Sequence, residues 1–338
     1  MKTIHLLSVL FFVLIFSNCT GKTGTEKYQN KRNNITDVKE RVQEIEIEDV
    51  MIGSIARLYL TDNYLIIQAP KSTDMLIHLF DRNNYEYVTS AIPKGQGPGE
   101  VTIIGNIGVN KNNKELYVSD HGKLKIFNYP LDSILNDSFY MPDTKKEINN
   151  VQFPSDYEFI SDTLCFARII EPTGNVGHNE VAAKWNMQTG EVKKMKYSHP
   201  KVDKKRVSLA VSMDHETFVE CYHNHDLMTI MDLDGNLKYN VYGGNWNSRD
   251  ASRLQHFGSV VFGGDKIIAS YSGGDWNTEE YYPDKLLIFN LNGDYIKTLD
   301  VGYKIADFVY DDQNDRLIFN FDDMIQFGYV TLNDDLLN

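Results

Sequence analysis

Six short strand-like runs recur along this chain at a nearly constant interval, and that period constrains the fold more than any other feature. They are centred on Ile66, Val118, Phe166, Val219, Ile268 and Ile318, with spacings of 52, 48, 53, 49 and 50 residues. A unit of this size is one small meander, which cannot bury both of its faces unless neighbouring copies pack against them. Six such copies predict a ring of blades.

The clearest copy covers residues 266–299. Alternating β-branched residues are followed by the apolar run Leu286-Leu287-Ile288-Phe289, then by Asn290-Leu291-Asn292-Gly293-Asp294 and a second alternating run. Asn and Gly tolerate the backbone of a tight reversal, so these runs pair as hairpins. Each copy divides into four strands, a to d, and helical periodicity is almost absent, which excludes an α/β reading. The sixth copy ends before its outer strand. The alternating stretch Val42-Gln43-Glu44-Ile45-Glu46-Ile47 fits that vacancy. The expectation is an all-β, six-bladed β-propeller over residues 41–338, with four-stranded antiparallel blades, closed by an N-terminal strand that completes the last blade.

Residues 1–18 combine Lys2 with an apolar core from Leu6 to Phe16, the pattern of a secretory signal peptide that is too short to span a bilayer comfortably. Ser17-Asn18-Cys19 at its end resembles a bacterial lipobox, which implies that Cys19 carries a lipid. Residues 19–40 are polar and aperiodic, and read as a flexible tether. The formal charge of −13 makes nucleic acid an improbable partner. Cys165 and Cys221 are too few for a disulfide scaffold and read as small buried hydrophobes. The expected product is an exported, lipid-anchored monomer on the cell envelope.

Lys94-Gly95-Gln96-Gly97-Pro98-Gly99-Glu100, with the strand Leu116-Tyr117-Val118-Ser119-Asp120 after it, resembles the glycine-rich signature of TolB-like and NHL-like six-bladed propellers. It is most similar to the propeller lipoproteins abundant in Bacteroidetes. That resemblance implies a non-enzymatic propeller and transfers no catalytic residue.

The long, irregular connections fall where b–c and d–a loops share the top face, whereas the bottom turns are terse. Long loops on a rigid scaffold are where binding residues concentrate. Gly243-Gly244-Asn245-Trp246-Asn247 and Gly273-Gly274-Asp275-Trp276-Asn277 echo each other there. The candidate ligand-binding residues are Trp246, Trp276, Arg249, Tyr281, Tyr282, Lys94 and Glu100, suited to a glycan, a peptide or an envelope protein. The opposing account of the two Trp residues is that each staples its own loop to the blade. Hydrolase or lyase chemistry would fall to Asp275, Glu279 or Glu280, and docking into an envelope complex is the third possibility. Lys94–Glu100 lacks phosphate-loop spacing and reads as a turn tied by Glu100. His215, Cys221, His223 and His225 lack a further ligand at metal-site spacing. Asp232-Leu233-Asp234-Gly235 lacks an acid at Gly243, where a calcium loop needs one. No metal and no cofactor are expected.

Overall fold

The structure is a computed structural model, described here for residues 24–148, 153–173, 177–248 and 253–337. Three short strands come first: β1 (Glu26–Gln29), β2 (Ile35–Asp37) and β3 (Gln43–Glu44). Blade one is β4 (Arg57–Leu60), β5 (Tyr64–Gln68), β6 (Met75–Asp81) and β7 (Tyr87–Pro93). Blade two is β8 (Ile104–Asn110), β9 (Glu115–Asp120), β10 (Lys125–Pro130) and, after helix α1 (Leu131–Asn136), β11 (Asp143–Glu147). Blade three is β12 (Phe153–Phe159), β13 (Leu164–Pro172), β14 (His178–Asn186) and β15 (Val192–Lys194). Blade four is β16 (Val207–Ser212), β17 (Thr217–Tyr222), β18 (Leu227–Asp232) and β19 (Leu237–Gly243). Blade five is β20 (Leu254–Gly263), β21 (Lys266–Asp275), β22 (Lys285–Asn290) and β23 (Tyr295–Asp300). Blade six is β24 (Ile305–Asp311), β25 (Arg316–Phe321) and β26 (Phe327–Thr331), after which α2 (Asp334–Leu337) follows. Within each blade consecutive strands pair antiparallel, and β3 pairs antiparallel with β26 as the fourth strand of blade six. The protein is a six-bladed β-propeller.

The repeat is visible in the register as well as in the sequence. A bulge interrupts the pairing of strands c and d at Leu79/Phe80, Ile126/Phe127, Ile230/Met231 and Ile288/Phe289. In blades one, four and five it sits beside the turn that swings the outer strand, where a bulge adds twist; in blade two it lies at the opposite end of the pair. The turn of blade five needs its glycine twice over: Gly293 has φ +78, and a Cβ there would stand 2.5 Å from Val241 Cγ2 of the neighbouring blade.

Apolar clusters fill the seams between blades, as a meander with two apolar faces demands. Ile66, Leu79, Val118 and Phe127 join blades one and two; Val219, Ile230, Ile267 and Phe289 join four and five; Ile288, Phe308, Leu317 and Phe319 join five and six. Fully burying one such side chain contributes about 1.5–3 kcal/mol. The seam between blades three and four is the leanest, with Phe166, Ala182, Phe218 and Met231 as its buried apolar residues.

Two departures from the sequence reading concern the N-terminus. The closing strand is shorter than residues 42–47: only Gln43 and Glu44 are in strand, and the Ile45 N–H then donates to Phe327 O at 2.9 Å. The larger correction is to the flexible tether over residues 19–40, because its described part is a clasp. β1 adds parallel to β19 as a fifth strand of blade four, and β2 adds parallel to β23 as a fifth strand of blade five. Tyr28 stacks on Tyr242 at 4.8 Å, Lys27 pairs with Asp294 at 2.6 Å, and Val38 is buried in the seam of blades five and six. Between the two strands Arg32 reaches inward, pairing with Asp226 at 2.8 Å and lying 5.3 Å from the Tyr271 ring. An added edge strand is held mainly by backbone hydrogen bonds, so a polar sequence without apolar periodicity can still form one. The signal-peptide reading and the lipid-bearing Cys19 lie outside the described residues.

Candidate functional site

Residues of all six innermost strands, β4, β8, β12, β16, β20 and β24, line one cavity of about 870 Å³ on the propeller axis. Tyr281, Tyr282 and Pro283 from the β21–β22 connection and Asp322 from the β25–β26 connection also line it. Because b–c connections emerge at the same end as the start of each inner strand, the cavity opens on the top face. Cavities of this size are typical of small-molecule sites.

Part of its chemistry comes from alternate positions of the inner strands, whose side chains point by turns into the blade and toward the axis. On β4, Leu58 is buried in the seam with blade six, while Arg57 and Tyr59 line the cavity. Arg57 is exposed within it, and no described carboxylate approaches its guanidinium to ion-pair distance. Burial opposes the Arg57 charge, but Tyr59, Asp156 and Asp307 outweigh it and raise its pKa. Burial pushes the Tyr59 phenol up to about 12, and its hydroxyl donates to Gln68 Oε1 at 2.9 Å.

Asp307, on β24, accepts the Leu58 N–H at 2.9 Å and the Ser259 hydroxyl at 3.1 Å, while burial raises its pKa. Arg168, on β13, donates to Ser155 Oγ at 3.0 Å and Val207 O at 2.7 Å, and stands 3.8 Å from Asp156. Glu180 accepts the Val207 N–H at 2.9 Å. His223 meets Ser208 Oγ at 2.9 Å; burial and the charges of Arg168 and Arg206 push its imidazole down to about 4, so it is neutral at pH 7. The arrangement offers a polar, mixed-charge chamber with an aromatic edge, in which Tyr281 and Tyr282 lie 4.1 Å apart, centroid to centroid.

Of the residues singled out from sequence, Tyr281 and Tyr282 line this cavity, while Trp246, Trp276, Lys94 and Glu100 are not among the lining residues. The two tryptophans are not an exposed pair. Trp246 is half-buried in a cluster with His199, Tyr242 and His225, at centroid distances of 5.3, 4.8 and 5.8 Å. Its loop is tied down by Asp226, which takes the N–H groups of Gly243 on its backbone carbonyl and of Asn245 on its side chain. Trp276 is 66 % exposed. The Lys94–Glu100 loop folds on itself: Glu100 Oε2 accepts the Gly97 N–H at 2.7 Å, Lys123 Nζ donates to the carbonyls of Gly97 and Glu100 at 2.6 Å each, and Lys94 Nζ donates to Ser72 O. Arg249 lies outside the described residues. Asp275 and Glu279 are engaged by Asn277 and Lys304, away from the cavity.

The remaining motifs resolve into local structure. Asp232 Oδ1 accepts the N–H groups of Asp234 and Asn236, making a turn of the calcium-loop look-alike. His215, His223 and His225 turn to separate partners in Ser212, Ser208 and Asn247. Cys165 and Cys221 are buried and free, and burial pushes the Cys165 thiol up to about 12.

Sequence reasoning missed Arg57, Asp156, Arg168 and Asp307, and weighed His223 only as a metal ligand. A signal was present: a charged residue inside the innermost strand of a blade has nowhere to go but the axis. Arg57 and Asp307 carry that signal.

Structural likeness extends to two Bacteroides proteins. A member of the DUF4221 family from Bacteroides vulgatus ATCC 8482 superposes with a TM-score of 0.60 at 10 % identity, over 86 % of this chain and 95 % of that one. A candidate exported protein from Bacteroides fragilis NCTC 9343 superposes with a TM-score of 0.54 at 11 % identity, over 87 % of each chain. At such identities the likeness speaks to fold alone. No curated protein matches the chain in sequence. The family model for DUF5128, a six-bladed β-propeller, matches residues 46–270, which takes in the first four blades and most of the inner half of the fifth; on that match the chain belongs to the DUF5128 family.

Proposed function

We propose that the protein is an exported, lipid-anchored binding module that captures a polar ligand in the axial cavity of its top face without transforming it. The observation that carries this reading is the cavity itself: about 870 Å³, walled by all six blades, with an exposed guanidinium on its lining. Tyr281 and Tyr282 supply ring faces at its edge, and Trp276 stands exposed on the same loop as an outer contact. Met51, Ile55, Ile103 and Met324, all on top-face connections, are likewise exposed and give the mouth an apolar surround. Export and anchoring rest on the signal-peptide and lipobox-like pattern of residues 1–19 and on the resemblance of the chain to TolB-like and NHL-like propeller lipoproteins.

The hydrolase reading has less behind it. The Asn277 backbone N–H, ahead of its side-chain amide, holds the Asp275 carboxyl below the ordinary range, which makes it a poor proton donor. Glu279 is already paired with Lys304.

Replacing Tyr281 and Tyr282 together by Ala tests the site, with binding read on glycan and peptide arrays. Binding should fall by about tenfold or more while the unfolding midpoint holds, since stacking at an exposed edge contributes little to the core. Binding that survives the double change would place the ligand elsewhere. For anchoring, Cys19→Ala should release the protein from membranes, and a variant that still sediments with them would refute the lipid.

A further inference from the structure

The charged groups of the cavity do not balance against one another. Its lining holds the carboxylates Asp156, Glu180, Asp307 and Asp322 and the guanidiniums Arg57 and Arg168. Every carboxylate is engaged. Asp307 accepts from Leu58 and Ser259, Glu180 from Val207; Asp156 faces Arg168, and Asp322 lies against the Tyr282 hydroxyl. Arg168 is committed to Ser155 and Val207. Arg57 alone of these groups is exposed to the cavity without a carboxylate in ion-pair reach among the described residues. Its planar fork of donors matches a carboxylate in two parallel hydrogen bonds.

We infer that Arg57 is the specificity-determining residue of the cavity, and that the ligand is an acidic saccharide whose carboxylate pairs with it while a pyranose ring lies against Tyr281 and Tyr282. The inference rests on the cavity being the binding site. Four carboxylates against two guanidiniums leave the wall net negative. A dianion such as phosphate is therefore disfavoured, whereas a single carboxylate set among hydroxyls is tolerated. The uncharged lining suits hydroxyls: Asn106, Ser208, Gln255, Ser259 and Ser270 bring amides and hydroxyls to the same chamber. The tyrosine pair gives a ring face for the carbon side of the sugar.

The test uses the full mature chain with immobilised oligogalacturonate, glucuronate-containing and sialylated oligosaccharides, each beside its carboxyl-reduced neutral counterpart. The acidic forms should bind about tenfold or more tightly than the reduced ones. Arg57→Gln should erase that preference with the unfolding midpoint unchanged, and Arg57→Lys should restore part of it. Equal binding of acidic and reduced forms, no binding by any acidic form, or a preference that survives Arg57→Gln would overturn the inference. Competition by inorganic phosphate as effective as that by galacturonate would also overturn it, by reducing Arg57 to a general anion contact. Neutral binding lost on the Tyr281, Tyr282 double replacement would sink the carboxylate and keep the cavity. Binding indifferent to both sets of changes would remove the cavity reading as well.

Discussion

Two arginines of the first blade make opposite use of the same side chain. Arg82, in the turn after β6, is 1 % exposed at the bottom of the seam with blade six. Its Nε donates to Asp311 Oδ1 at 2.8 Å, its Nη1 to Thr61 O at 3.0 Å, and its Nη2 to Asp312. Arg316 takes the other oxygen of Asp311 at 2.9 Å and lies 4.6 Å from the Tyr85 ring. Arg57, at the top end of β4, has an open chamber in front of it. A guanidinium whose donors are met by its own protein is a rivet; one whose donors face solvent inside a walled space is available to a ligand. Residue type does not separate the two. What separates them is whether the neighbouring blade brings a carboxylate, as blade six does with Asp311 at the bottom, or brings one already engaged, as it does with Asp307 at the top.

The largest effect tests how the ring is held shut. Removing residues 1–50 takes away β1, β2 and β3, leaving β26 as an unpaired edge and stripping Val38 and Ile45 from their seams. The expected outcome is loss of cooperative unfolding or aggregation, read by denaturant titration and size exclusion. A truncated protein as stable and monomeric as the mature chain would mean that the ionic seam at Arg82 closes the ring unaided. Next in size, Arg82→Leu should cost about 3 kcal/mol or more in urea unfolding, because it breaks a buried pair and leaves the Thr61 carbonyl without its donor. A cost below about 1 kcal/mol would make the rivet ornamental.

Mild acid should separate the ends by their titrating groups. Burial holds His199, 3 % exposed against Tyr242 and Trp246, down to about 4, and His223 likewise. In the unfolded chain both take protons near the ordinary histidine value of about 6.5. Stability from keeping them neutral is therefore complete above about pH 6.5 and is lost as pH falls toward about 4, by roughly 2–3 kcal/mol each. At the bottom, burial would raise the Asp311 pKa, but hydrogen bonds from Asn314, Arg82 and Arg316 outweigh it and hold it low. That contribution is lost only below the ordinary carboxylate range of about 4. Urea midpoints across this range should fall first through the histidine window, and His199→Gln should flatten that part. A pH-independent midpoint down to about 4 would show that the imidazoles are solvated.

The ring itself was legible because a propeller writes its seams in apolar residues at a fixed period: Ile66, Val118, Phe166, Val219, Ile268 and Ile318 all lie in the second strand of their blades. The clasp was not, since β1 and β2 are held by backbone pairing and by Arg32, features without apolar periodicity. Gly243–Asn247 and Gly273–Asn277 share a sequence and not a role. His199, His225 and Tyr242 come from three different stretches to cover Trp246, and among the described residues no ring cluster comparable to it covers Trp276, which is 66 % exposed. The site was half legible. Long top-face loops pointed to the end where the cavity opens and to Tyr281 and Tyr282 on its lining, while Arg57, Asp156 and Asp307 sit on inner strands and Arg168 and Glu180 on the strands behind them, which loop length does not mark.

The smallest expected effect decides whether the comparison stands. Arg57→Gln should change the free energy of unfolding by no more than about 0.5 kcal/mol, since the side chain is exposed and closes no ion pair among the described residues. One residual cost is foreseeable. Arg57 is among the charges that draw the Asp307 pKa down against burial, and without it that carboxyl rises further, which slightly penalises the ionised form above the ordinary carboxylate range. The loss should accordingly be greater at neutral pH than near about pH 4, where the unfolded chain also carries the proton. Leu58 and Ser259 still donate to Asp307, so the penalty stays small. A loss of about 2 kcal/mol or more would place Arg57 with Arg82 as a structural rivet, and the top and bottom of blade one would no longer differ in kind.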